Sequence, residues 1–153
     1  MAEFANQAPS QPLRYSWLIT MNAKYLFAKD IPLDQVDWGR MAWISRPADT
    51  QAKKIVQILV LLEGGFSHNF HYHPRQEEVL YVLDGEIEQW LETEKRTLKK
   101  GDAVFIGPGV VHGSFNTATK TAQLIAVLSP SVTDSGYEMV DAANEAPWNA
   151  LRK

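Results

Sequence analysis

Four residues in two short segments carry the strongest chemical signal in the sequence. His71 and His73 stand two apart in NFHYHPR, Glu78 follows five residues later, and His112 lies in GPGVVHGSFN. In an extended strand a spacing of two sends both side chains to one face, so the two imidazoles converge while Tyr72 points away. Converging imidazoles with a carboxylate in reach form a donor set for a divalent metal ion. The chain has no cysteine, which excludes disulfides, thiolate ligands and a cysteine nucleophile. A metal must then be held by His, Asp, Glu or Asn.

The elements around these residues must bring them together. Pro74 cannot continue an interior ladder, so the chain is expected to bend through Pro74-Arg75-Gln76 and re-enter as the strand EEVLYVLDG. On that strand Glu78 shares a face with Leu80 and Val82, whereas Glu77 shares one with Val79, Tyr81 and Leu83. Periodicity alone leaves open which face lines the interior. A carboxylate among buried aliphatics needs a compensating positive charge, and a metal flanked by two histidines supplies one. His112 follows the Lys100-Gly101-Asp102 turn, where an antiparallel partner strand would bring it opposite the first pair; Ser114 and Asn116 would share its face.

From Ile55 onward the chain is a series of short β-type runs: KIVQILVLLE, EEVLYVLDG, GEIEQWLE, DAVFIGPG and TAQLIAVLS. Gly64-Gly65, Asp84-Gly85, Lys100-Gly101-Asp102 and Pro108-Gly109 punctuate them as turns. Short strands at close, even spacing predict an antiparallel sandwich or barrel. Helix is expected only as short turns near Leu33 to Trp38 and near Ala142 to Trp148. Residues 1–12 read as a flexible start and Leu13 to Phe27 as an edge strand. The polar C-terminal segment is expected to wrap the barrel, with Trp148 docked in an apolar groove. The charge-rich GEIEQWLETEKRTLKKGD reads as a solvated hairpin.

The chain has 153 residues, 45% hydrophobic and 22% charged, which suits one well-buried core and one domain. A net charge of −3, with no basic run interleaved with aromatics, argues against nucleic acid as a partner. The longest apolar run, Ile58 to Leu62, is far below a membrane span, and the first residues lack the basic and apolar regions of a signal peptide. A soluble, cytoplasmic protein with no membrane partner is the expectation.

The spacing of these residues resembles the two motifs of the cupin superfamily. Gly65, His71, His73, Glu78 and Gly85 match the first motif without insertion, and this register selects Glu78 over Glu77. Gly101, Gly109, His112 and Asn116 match the second. One departure stands out: Gly107 occupies the place where the family usually has the proline of Pro-x-Gly, with the proline moved to Pro108. The step from Gly109 to His112 is kept. The resemblance implies an all-β double-stranded β-helix, or jelly-roll barrel, over residues 13–153 with a motif core at 55–130. It also implies that His71, His73, Glu78 and His112 face inward onto one metal.

The remaining candidates carry weaker signals. His68, three residues before His71, falls on the opposite strand face by its odd offset and reads as surface or pocket rim. Tyr81, Trp90 and Phe105 are read as sandwich core rather than cavity lining. Gln57, Gln89, Gln123 and Asn116 interrupt apolar strands, and Asn116 is taken as a pocket hydrogen-bonder. The metal is one divalent transition ion, Fe, Mn, Ni, Zn, Co or Cu, which the ligand types do not distinguish. The expected function is metal-dependent chemistry on a small oxygenated organic molecule. A dioxygenase is slightly preferred over a Lewis-acid isomerase, lyase or decarboxylase; a sugar- or small-acid-binding module without turnover is the reading of another class. Lewis-acid chemistry needs a separate base, for which Glu77, Tyr81 and His68 are conceivable. A weak strand at LRYSWLITM suggests edge pairing in a homodimer.

Overall fold

Strict alternation builds the central strands. In chain order the strands are β1 (Asp34–Val36), β2 (Gly39–Ser45), β3 (Val56–Leu62), β4 (Ser67–Tyr72), β5 (Glu77–Asp84) and β6 (Glu86–Leu91). They continue as β7 (Glu94–Lys99), β8 (Ala103–Ile106), β9 (His112–Phe115), β10 (Ala122–Ser129) and β11 (Val140–Asp141). The structure, a computed structural model, describes residues 23–152. Val56, Ile58, Val60 and Leu62 of β3 are buried, as are Leu124, Ala126 and Leu128 of β10 and Glu78, Leu80 and Val82 of β5. This period of two requires strands with one face on a core.

Two antiparallel sheets result, one of order β1-β2-β3-β10-β5-β8 and one of order β11-β4-β9-β6-β7. The inner residues of β3, β5 and β10 pack with Ile87 of β6 as one apolar cluster, with Trp38, Met41 and Trp43 against its edge. A second cluster, of Phe70, Trp90, Val111, Phe115 and Ala142, lies on the outer side of the second sheet. Tyr72, Trp148 and Leu151 cover it, so the C-terminal segment wraps the sheet as expected and Trp148 docks on apolar surface. The protein is therefore all-β, as the alternating runs predict. Among the described residues its helix is limited to α1 (Pro47–Thr50) and 3-10 turns at Ala28–Asp30 and Trp148–Ala150. Among the described residues no helix is long and apolar enough to cross a membrane.

Several expectations are corrected. The segment Leu33 to Trp38 is not helical: Asp34–Val36 pairs with Gly39–Met41 in a tight hairpin, and this pairing overrides the weak local preference. The helical turn expected within Ala142 to Trp148 begins only at Trp148. The flexible start over residues 1–12 and most of the edge strand at Leu13 to Phe27, including the segment invoked for a homodimer, lie outside the described residues; residues 23–27 form no strand. Trp90 is buried as expected, but Tyr81 and Phe105 are not core. They are 42% and 60% exposed, on the outer face of the first sheet with Val79 and Leu83. The facing of β5 explains this, because turning Glu78, Leu80 and Val82 inward forces their odd-numbered neighbours outward.

Candidate metal centre

His71 and His73 reach the interior from the end of β4 and the residue after it, and His112 opens β9 directly opposite, paired Cα to Cα with His71. The ring nitrogens of the three histidines that face each other all lie within 4.8 Å, and the residues are 4%, 2% and 3% exposed. Glu78 enters from β5 in the other sheet. Its Oε2 is 3.1 Å from Nε2 of His73 and 3.1 Å from Nε2 of His112. The bend at Pro74 that the sequence requires separates β4 from β5 and lets two adjacent segments contribute to one point from opposite sheets.

The Gly107-Pro108-Gly109 turn still delivers His112 despite its shifted proline. Gly109 adopts φ +77, a conformation open to glycine at no steric cost, and its N–H donates to the carbonyl of His73 at 2.9 Å. The turn before the third histidine is thereby tied to the second.

Each imidazole is anchored through Nδ1 to a backbone carbonyl: His71 to Asn69 at 2.6 Å, His73 to Glu138 at 2.6 Å and His112 to Val110 at 2.9 Å. We assign the proton to Nδ1, because a carbonyl only accepts. In the neutral ring Nε2 then carries a lone pair, and these lone pairs point toward one another and toward a carboxylate. Such an arrangement repels itself unless a cation sits among the donors. Nε2 of His112 is buried and makes no hydrogen bond of acceptable angle, which leaves it a free donor pair. Two ligands about 2.1 Å from a metal and at right angles sit about 3.0 Å apart, close to the separations between Glu78 and the two histidines. The donor set fits a divalent ion on both counts, and the three histidines are positioned to bind one.

Charge follows from burial and proximity. Burial alone would push the Glu78 carboxyl up, but hydrogen bonds and positive charge from His112 and His73, once those rings carry a proton on the facing Nε2, outweigh burial and hold it well below the usual carboxylate range. Burial pushes His71 well below the usual imidazole value, with His68 and His112 adding to the effect. His68 is lowered to about 4, chiefly by burial and against the attraction of Glu78. Tyr137 is raised by burial and by the Glu78 charge, so its hydroxyl stays protonated.

The placement of His68 corrects the expectation of an opposite face. β4 and β9 pair Ser67 with Phe115 and His68 with Ser114, but His71 with His112. One extra residue is therefore accommodated at Asn69-Phe70, a β-bulge. With that residue inserted, an offset of three returns to the same face. His68 lines the central cavity with its ring 4.0 Å from that of His71 and 5.0 Å from Trp38. The bulge also frees the Asn69 carbonyl for the Nδ1–H of His71.

Asn116 is likewise corrected. It does not line the cavity: its Nδ2 donates to the carbonyls of Leu62 and Lys120 and its Oδ1 accepts the Ala118 N–H, so it closes the turn after β9. Gln89 is the glutamine that faces inward near the site, accepting a hydrogen bond from Ser114 at 2.6 Å. Glu77 and Tyr81, considered as bases, face outward and do not line the cavity.

The cavity holds about 220 Å³ and reaches from the histidines to the β1–β2 hairpin. Trp38, Met41, Trp43 and Tyr137 line it together with the inner aliphatics of β3, β5 and β10. The sequence analysis missed Trp38, Trp43 and Tyr137 as cavity residues. Tyr137 sits in the 130–138 loop with its ring 5.2 Å from His73 and 5.8 Å from Trp43. Gln76 fastens that loop, donating to the carbonyls of Pro130 and Gly136 and accepting the Glu138 N–H.

Comparisons with known proteins agree with this geometry. Residues 58–128, which include His71, His73, Glu78 and His112, match the cupin domain family model. An uncharacterized protein of Aquifex aeolicus is 40% identical over 81 residues, 53% of this chain; the match spans 64% of that protein, less than two thirds of its length. The polyketide synthase CurC of Streptomyces cyaneus is 26% identical over 127 residues, 83% of this chain and 81% of the relative. The solved structure of KdgF from a Halomonas species superposes with a TM-score of 0.65 at 23% identity, covering 73% of this chain and 97% of that one, a likeness of fold. With the matched segment, the two motifs in register and the two facing sheets, residues 58–128 carry a cupin domain.

Proposed function

We propose that this protein is a mononuclear-metal enzyme acting on a small oxygenated organic molecule, with His71, His73, Glu78 and His112 as ligands of one divalent transition metal. The observation that carries the reading is the set of three Nδ1-anchored imidazoles whose free Nε2 atoms converge beside a buried carboxylate. Imidazole and carboxylate donors suit Fe, Mn, Co, Ni, Cu and Zn alike. A bound ion would supply Lewis acidity toward a carbonyl or enol oxygen placed on its open side. The similarity to CurC, a polyketide synthase, supports substrates rich in such oxygens.

For the class of reaction, we favour proton transfer without redox change, an isomerase, lyase or decarboxylase. His68 supports it: among the described residues its ring makes no hydrogen bond, it lines the cavity beside the ligands, and it is neutral at pH 7. A neutral imidazole beside the substrate can accept a proton from an acidified C–H. The protonated hydroxyl of Tyr137 can donate to the oxygen on which charge develops. This moves the preference away from the dioxygenase, which the sequence and its cupin resemblance only slightly preferred. The oxidative reaction keeps one specific support, the chiefly apolar wall, which excludes water from a reactive site.

Hydrogen–deuterium exchange separates the two. The metal-loaded protein is incubated anaerobically in deuterated water with a 1,3-diketone probe and followed by NMR, beside oxygen uptake with the same probe. Catalysed anaerobic exchange that falls in His68→Asn supports the non-redox reading. Oxygen uptake with unchanged exchange supports the dioxygenase. Neither activity from a protein that holds its metal contradicts both.

A further inference from the structure

Beside the inner aliphatics of β3, β5 and β10, the cavity wall carries two runs of aromatic rings that start at the histidine cluster and end at the β1–β2 hairpin. In one run, the ring of His71 lies 4.0 Å from His68, which lies 5.0 Å from Trp38. In the other, the ring of His73 lies 5.2 Å from Tyr137, which lies 5.8 Å from Trp43. Both tryptophans come from the same hairpin, Trp38 from its turn and Trp43 from β2, and Met41 lies between them on the inner side. Among the described residues that line this cavity there is no Lys and no Arg; Glu78 is the only side chain with full charge.

From this juxtaposition we infer that the site selects an uncharged, planar substrate of one or two rings with adjacent oxygens on one edge, and rejects dicarboxylates and sugar acids. The inference rests on the metal-enzyme reading above and narrows its substrate class. Three considerations lead to it. The two runs of rings within an otherwise aliphatic wall favour a flat, apolar body, which gains offset or edge-to-face contacts beyond simple burial. The volume of about 220 Å³ sets the size, since a cavity of about 150 Å³ holds one benzene ring.

Charge supplies the third. A divalent ion and the Glu78 carboxylate leave one net positive charge, which a neutral or singly ionised enol or phenol can match. A dicarboxylate would place an uncompensated negative charge in an apolar chamber without a cationic side chain to receive it. A sugar acid, whose single carboxylate the net charge would match, is rejected instead because it would bury several hydroxyls against Trp38, Trp43 and Met41, where few partners await them.

Isothermal titration of the metal-loaded protein with 2,3-dihydroxynaphthalene, oxalate and galacturonate tests this, with the apoprotein titrated in parallel and metal content measured for every sample. The dihydroxynaphthalene is expected to bind at least tenfold more tightly than either acid, a difference of about 1.4 kcal/mol. Trp43→Ala and Trp38→Ala are expected to weaken it roughly tenfold with metal content unchanged, and Trp43→Phe, which keeps a flat wall, to recover most of the loss. Oxalate or galacturonate binding as tightly as the naphthalene overturns the inference, as do tryptophan variants that keep both metal and affinity. A protein that takes up no metal refutes the metal-enzyme reading instead. The aromatic part of the wall is then judged on the apoprotein, whose binding of the naphthalene must still fall in Trp43→Ala.

Discussion

Nε2 of His73 lies 3.1 Å from Oε2 of Glu78, while Nδ1 of the same ring lies 2.6 Å from the carbonyl oxygen of Glu138. A ring with one proton, spent on Glu138, meets the carboxylate with its lone pair. His112 repeats the relationship with the same Oε2 and the carbonyl of Val110. Two such contacts at one carboxylate oxygen demand positive charge, from protons or from a metal. With a metal, the three imidazoles remain neutral and the backbone anchors become orientation devices.

Removing the carboxylate while keeping its shape tests this relationship. Glu78→Gln is expected to lower metal affinity by 10-fold or more, of the size seen when an orienting or ligating partner is lost. Competition against a chromogenic chelator measures it. Unchanged affinity would assign the carboxylate a role outside the coordination sphere.

The loop anchor acts at a distance. Gln76→Leu deletes three hydrogen bonds that fasten residues 130–138 and so frees the Glu138 carbonyl that holds His73. We expect a loss of about 2–4 kcal/mol in urea unfolding. Metal affinity should fall by about tenfold although Gln76 touches no ligand. A stability loss with metal affinity intact would separate the loop from the site.

Gly113, next to His112 on β9 and beside the bulge of β4, has no room for a methyl group. A Cβ there would lie 3.0 Å from the Phe115 ring and 3.3 Å from the Asn69 and Phe70 backbone at the bulge. Gly113→Ala is therefore expected to cost about 1–3 kcal/mol by overpacking. Because Asn69 anchors His71, the variant should also shift the His71 ring resonances in NMR spectra.

Acid should loosen the metal-free protein through its neutral histidines. His68 titrates at about 4 in the fold, against about 6.5 in an unfolded chain. Between these values the unfolded chain binds the extra proton, so stability falls as pH drops from 6.5 toward 4 and levels off below. His71, also lowered, adds to the same slope and extends it. Urea unfolding in chelator at pH 7 and pH 5 should give a loss on the order of 2 kcal/mol that His68→Phe reduces but does not abolish. A pH-independent stability would contradict the buried neutral state.

The convergence of His71 and His73 was legible from a period of two, whereas the facing of β5 was not: the resemblance to the cupin motifs, with its fixed steps from turn glycines, selected Glu78 over Glu77 and singled out His112. The strand runs from Ile55 onward were legible from the same period of two. His68 was misplaced because a β-bulge adds one residue without leaving a mark in SHNF, and a single inserted residue reverses the face. Asn116 alternates correctly with His112 and Ser114, yet β9 ends at Phe115 and the side chain turns to cap the loop. Tyr137 reaches the cavity through hydrogen bonds between residues 54 to 62 positions apart, which no local pattern encodes. Tyr81 and Phe105 were read as core from their residue type, although the period that turned Glu78 inward already turned Tyr81 outward.

The central claim is tested most directly by metal content. The chain is purified without a metal-scavenging tag and analysed by plasma mass spectrometry, beside a His71→Ala, His112→Ala double variant. The account predicts about one transition-metal ion per chain in the wild type, lost in the variant, together with thermal stability that falls when the wild type is chelated. No bound metal in the wild type after incubation with Fe, Mn, Co, Ni, Cu or Zn, with the variant as stable as the wild type, would contradict it.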